Sequence, residues 1–206
     1  RRHAITRVVL ESASSVYGRD TGAPFRESSS AQRPSSPFAA SKRAMEICAY
    51  PYAAGHGLDI VVLRYFSIYG PRQRPDMGVY LFTEALMTGR SVVVFGDGSA
   101  ARDFVYVDDA VRATLAALAQ RKMPSRPFRI YNVAGGEIVT LSEVVDHLGR
   151  ILEVSPHTVH RPVRPGDVPL TSADLSAPER DLDYRPQVDL PTGLERLVLW
   201  FRQRGE

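Results

Sequence analysis

Lys42 stands four residues after Phe38 in Pro37-Phe38-Ala39-Ala40-Ser41-Lys42, a spacing that puts both on one face of a helix. The lysine brings a positive charge, whereas Phe38 has no proton to exchange and reads as a buried ring at the start of the helix. Upstream, Glu11-Ser12-Ala13-Ser14-Ser15-Val16-Tyr17-Gly18 follows the apolar run Arg7–Leu10, as where a buried parallel strand ends in an active-site loop. The arginines are scattered singly after strands and in loops. That pattern suits a small diphosphate ligand better than nucleic acid, although the net charge is +3 and the pI about 9.2.

These groups need a scaffold, and the hydropathy pattern supplies one. Residues 38–57 read as a helix with Ala40, Ala44, Ile47 and Cys48 on its apolar face. Pro51 falls inside it and removes one hydrogen bond, a cost of roughly 3 kcal/mol unless the helix kinks. Leu58–Arg64 is a β-rich apolar run and reads as a second buried parallel strand. Asp20–Ser36 is a Ser/Pro/Gly-rich loop. Further on come a helix over 78–88, a strand over 91–95 and a tight turn at Gly96 and Gly98. A helix to about Gln120 follows, capped by Asp108 or Asp109. The spacing then predicts a strand over 127–134 and a helix from Thr140-Leu141-Ser142-Glu143 with a capping box. A helix at 177–182 capped by Ser176 and a last helix over 190–203, with Trp200 in the core, close the chain.

The composition excludes several classes. With 44% hydrophobic and 24% charged residues the chain is not wholesale disordered. No apolar run approaches the ~18 residues that cross a bilayer, and no signal-like segment opens the chain, so a cytoplasmic protein is expected, with no membrane partner. The lone Cys48 makes no internal disulfide and is expected in the helix core, and His157 and His160 lack a third ligand, so no metal site is expected.

Five ordered motifs carry a resemblance to the extended short-chain dehydrogenase/reductases, the NAD-dependent nucleotide-sugar epimerases and dehydratases. They are the Ser12–Gly18 segment, Phe38–Lys42, Tyr65–Met77, Phe95–Asp109 and Arg161–Val168. The family's fold implies that this chain is the C-terminal part of an α/β, Rossmann-like doubly wound parallel sheet, with a smaller α/β substrate-binding domain. Residues 1–70 would be the remainder of the NAD-binding domain, joined by later segments, and 71–206 mainly the UDP-sugar-binding domain. About three βα units, with the Gly-rich pyrophosphate turn, would precede Arg1, leaving an exposed strand edge. No Gly-x-Gly-x-x-Gly or Gly-x-x-Gly-x-x-Gly spacing occurs among the 15 glycines.

Of the family's catalytic Ser/Thr, Tyr and Lys, the resemblance assigns Ala13 to the Ser/Thr position, Phe38 to the Tyr position and Lys42 to the Lys. In the family that Tyr, its phenol drawn toward the phenolate by the Lys, takes the proton from a sugar hydroxyl while hydride leaves for the nicotinamide. The resemblance further implies cofactor contacts at Ser12, Lys42 and Tyr65, and substrate contacts at Ser67, Arg74, Phe95, Arg102 and Arg164. Tyr65–Met77 is most similar to the loop of UDP-glucuronate 4-epimerases, where Ser67 and Arg74 would hold the sugar carboxylate; Arg74 alone would read as a solvated loop residue. A homodimer through the helix bearing Lys42 is implied too, with Pro51 as a departure. The function the resemblance implies is NAD-dependent epimerisation of a UDP-sugar at C4, UDP-glucuronate to UDP-galacturonate, and with both hydroxyls gone an impaired chain is expected. The rival readings are a non-catalytic UDP-sugar-binding pseudoenzyme, a truncated remnant, and an enzyme resembling UDP-glucuronate decarboxylases or UDP-glucose 4-epimerases.

Overall fold

The computed structural model describes residues 5–19, 21–120 and 125–204; the expected start of the loop at Asp20 lies outside the described residues. Strands β1 (Arg7–Ala13), β2 (Asp59–Tyr65) and β6 (Phe128–Val133) form a parallel sheet in the order β1-β2-β6. β2 is buried along nearly its whole length, as a central strand covered on both faces must be. Its alternate residues face opposite helices. Ile60 and Val62 meet Ala49 and Ala53 of α1 (Pro37–His56), whereas Val61 and Leu63 meet Ala113 and Ala117 of α3 (Val107–Ala119).

A second layer is built from short strands and three helices. β3 (Ser67–Tyr69) pairs with β5 (Ala101–Tyr106), which pairs antiparallel with β7 (Ile138–Thr140). β4 (Val92–Phe95) runs parallel to β8 (Thr158–Arg161). Helices α2 (Gly78–Met87), α4 (Leu141–Leu152) and α6 (Leu190–Arg204) close over one core that includes Phe82, Leu86, Leu148, Leu194 and Leu197. α5 (Ser176–Leu182) packs beside β6. Trp200 is half-buried against the α2–α4–α6 core.

Several local expectations change. β1 continues three residues past Leu10, because its pairing with β2 holds in register until Ala13 meets Tyr65. α1 starts at Pro37 with the Ser36 side chain accepting from the Ala39 N–H, and it runs unbroken through Pro51, which sits on its exposed side. The face turned to the sheet is Ala39, Glu46, Ala49 and Ala53. Hence Ala40, Ala44 and Ile47, read as the helix's apolar face, and Cys48, expected in the helix core, are exposed, and Phe38, expected as a buried ring, is 57% exposed. Neither Asp108 nor Asp109 caps α3. Tyr106 occupies that position, and the buried Asp109 carboxylate accepts the backbone N–H groups of Gln187 and Val188 ahead of α6. Ser176 is the first residue of α5 rather than its cap, and both its backbone and hydroxyl donate to Asp174. The capping box at Thr140 and Glu143 is present as expected.

Candidate active site

Parallel strands deliver their C-terminal ends to one edge, where loops and helix starts converge. Here Ala13, Tyr65 and Val133 are register partners at that edge, and α1 begins beside it. The Lys42 ammonium donates to the backbone carbonyl of Glu11 at 2.8 Å, two residues before Ala13. It stands 5.8 Å from the centroid of the Phe38 ring. Lys42 thus stands between the end of β1, which carries Ala13, and the Phe38 ring one helical turn before it, with no hydroxyl at either position. Tyr65 follows on β2, its phenol 2.5 Å from the Thr114 hydroxyl and pushed up from its ordinary pKa by burial. Ser12 is buried, and its hydroxyl donates to Glu46.

A second group gathers around the end of β4. The Arg164 guanidinium lies 3.7 Å above the Phe95 ring, a close cation–π stack. Arg102 on β5 is half-buried, and among the described residues no carboxylate lies within ion-pair distance of it. Its guanidinium donates to the Ala101 carbonyl, and burial, offset in part by the charge of Asp167, draws its pKa down. A desolvated guanidinium without a counter-ion is poised for an anion. The loop carrying Arg164 reaches back to the start of α1, where the Ser35 hydroxyl donates to the Gly166 carbonyl at 3.1 Å. Gly98, in the left-handed region at φ 87°, sits against Ser142, where a side chain would collide.

Ser67 and Arg74 are less directly joined to these groups. Ser67 is half-buried on β3 and faces Phe104 in register, two residues beyond Arg102. Arg74 is exposed and makes a two-bond pair with Asp76 at 3.1 and 2.9 Å. Among the described residues no group of His, Cys, Asp or Glu could hold a metal ion.

Three buried polar groups beneath the site escape a reading of the sequence. Glu46 on α1 accepts from Ser12, Arg43 and Arg64. Asp103 on β5 accepts backbone N–H groups of Gly135, Gly136 and Ala173. Asn132 on β6 accepts from the Tyr17 hydroxyl and donates to the Phe25 and Asp174 carbonyls. The visible signal is Arg64, a charge directly after the apolar stretch Ile60–Leu63 of β2.

The description of the NAD dependent epimerase/dehydratase family matches residues 1–134, well over half of the chain. The chain belongs to that family. UDP-glucuronate 4-epimerase 4 of Arabidopsis thaliana is 38% identical over 207 residues, covering 94% of this chain and 47% of the relative. The UDP-glucuronate 4-epimerase of Thermodesulfobacterium geofontis is 34% identical, with coverages of 98% and 61%. This member of the family thus spans about half to two thirds of the length of those relatives. The UDP-glucuronic acid 4-epimerase of Bacillus cereus, solved with UDP-glucuronic acid and NAD, superposes with a TM-score of 0.90 at 34% identity, covering 96% of this chain and 62% of that one. A Tyr-to-Phe mutant of the same enzyme was solved with UDP-4-deoxy-4-fluoro-glucuronic acid and NAD. The Rossmann-type α/β architecture is shared with these family members.

Proposed function

We propose that this family member is a UDP-sugar-binding protein of the UDP-glucuronate 4-epimerase type, whose NAD-dependent site keeps its ligand-holding side chains but lacks its proton-transfer groups. The observation that carries the reading is the pairing of Lys42 with a ring that has no hydroxyl; the burial of Arg102 with no carboxylate within ion-pair distance among the described residues supports it. NAD, when bound, would accept hydride from C4 of the sugar and return it to the other face. In that site Lys42 would bind the cofactor and keep a positive charge beside position 38, and Ser12 and Tyr65 would line the cofactor side. Arg102 and Arg164 would hold the diphosphate and Phe95 would flank the uracil. Ser67 and Arg74 would hold the sugar carboxylate, with Arg74 leaving Asp76, an exchange that costs little for so exposed a pair. Phe38 and Ala13 supply neither a base for the sugar hydroxyl nor a hydrogen bond to its oxygen, so binding proceeds without turnover. The Tyr-to-Phe mutant of the Bacillus cereus enzyme supports this separation, since it holds both a UDP-sugar and NAD.

The reading extends to domain organisation and assembly. Residues 1–70, with the returning strand β6, form the cofactor half, and 71–206 mainly the sugar half. The exposed apolar face of α1 around Ala40, Ala44 and Ile47 pairs with a second copy. The exposed free thiol of Cys48 fits a reducing, cytoplasmic setting, and no helix among the described residues is long and apolar enough to cross a membrane.

Calorimetric titration with UDP-glucuronate and UDP-glucose, each with and without NAD, tests the binding half. Tighter binding of UDP-glucuronate, with the preference abolished in Arg74→Ala, is the expected result; no binding of either nucleotide to a chain that melts cooperatively would overturn it. The catalytic half is tested by restoring the hydroxyls. Phe38→Tyr with Ala13→Ser is expected to raise C4 epimerisation by at least ~100-fold over the parent. A parent chain that already turns over at the rate of the double variant sinks that half.

A further inference from the structure

We propose that Glu46 is a positioning residue, one buried carboxylate that fixes where Lys42 stands relative to Ala13 and Tyr65. The inference rests on the reading of position 38 as the vacated proton-transfer site. Glu46 follows Lys42 by four residues, one helical turn along α1. Its carboxylate receives the Ser12 hydroxyl at 2.6 Å, Arg64 Nε at 2.9 Å and Nη2 at 2.8 Å, and Arg43 at 2.9 Å. Ser12 immediately precedes Ala13 on β1, and Arg64 immediately precedes Tyr65 on β2. Three elements that each bring one part of the site are thereby tied to the same two oxygen atoms.

Packing alone would hold α1 less firmly. The residues that α1 sets against Ile60 and Val62 are alanines, Ala49 and Ala53, whose small side chains interlock weakly with the sheet. Directional bonds to a buried carboxylate fix both the rotation and the height of the helix. The network continues from there: the Arg64 guanidinium lies 4.7 Å over the Tyr17 ring, and Tyr17 donates to Asn132 at 2.7 Å. Asn132 in turn holds the segments at Phe25 and Asp174. Glu46, Arg64, Tyr17 and Asn132 are all buried, so water does not substitute for any of these partners.

Fold maintenance and positioning separate in the following experiment. In Phe38→Tyr, the added phenol is followed by ultraviolet difference titration against the parent chain. It should titrate about one unit below an ordinary tyrosine, and Lys42→Met should abolish that shift. Glu46→Leu with Arg64→Met then replaces the buried pair by apolar groups of similar volume, an exchange that commonly preserves folding. The expected result is a chain that still melts cooperatively but has lost at least half of the shift. A phenol with an unchanged, lowered pKa in that background overturns the proposal while leaving the reading of position 38 intact. A phenol with no lowered pKa even beside Lys42 overturns both. Should the apolar pair fail to fold, Ser12→Ala decides, since it keeps the ion pair and removes only the tie to β1; an unmoved phenol there overturns the proposal.

Discussion

Two buried carboxylates carry opposite chances of rescue when altered. Asp59 accepts from Arg7 and from Arg129, both at 2.6 Å, and is itself almost fully buried. Asp59→Ala leaves two guanidinium groups without their partner, so a loss of about 3–5 kcal/mol is expected, measured as a lowered urea midpoint. At Glu46 burial pushes the carboxyl up, but the hydrogen bonds and charge of Arg64, with Ser12 and Arg43, outweigh it and hold the pKa below its ordinary value. A depressed folded pKa contributes stability that is present above the unfolded value and lost as pH falls through the folded one. The melting temperature should therefore drop on acidification below about pH 4, and the drop should shrink in Glu46→Leu with Arg64→Met. Thermal melts of both chains between about pH 3 and 7 check this.

Among the elements, α1 departs furthest from what its residues announce. Pro51 removes the donor that would meet the Ile47 carbonyl, yet the helix runs through it because both residues sit on the exposed side, where water reaches the freed carbonyl. Pro51→Ala restores that bond and is expected to stabilise the chain by about 1–3 kcal/mol, seen as a higher urea midpoint at unchanged slope. The helix's orientation was not legible from periodicity. Ala40, Ala44, Ile47 and Cys48 recur at helical spacing as convincingly as Ala39, Glu46, Ala49 and Ala53, and only the second set faces β2. A glutamate in the inner set argued against it, until Arg64 and Ser12 supply the partners that make its burial tolerable.

For the whole molecule, the proposed assembly rests on the outward apolar face of α1. Ile47 is 57% exposed, and Tyr50 and Tyr52 are similarly exposed nearby. If two copies meet there, Ile47→Asp places like charges in the contact and should convert a dimer into a monomer, read by light scattering after size exclusion. The parent eluting as a monomer at the same concentration would remove the proposed pairing. Ligand linkage gives a second whole-molecule observable: UDP-glucuronate at about a hundred times its dissociation constant should add roughly 2.7 kcal/mol to the stability of the folded chain. An unshifted melt at that concentration contradicts the binding reading.

The sequence by itself determined the strands and helices with strong hydrophobic periodicity, the capping box at Thr140 and the absence of hydroxyls at Ala13 and Phe38. Those are local properties, set by residue type and spacing within one element. Only the tertiary structure decided that Phe38 lies exposed, that Asp109 braces the entry to α6 rather than capping α3, and that Glu46 joins α1 to both β1 and β2. The last two depend on partners 18 to 79 positions away. The energy of a buried charge is fixed by which distant groups the fold brings against it, and no spacing within a single element encodes that.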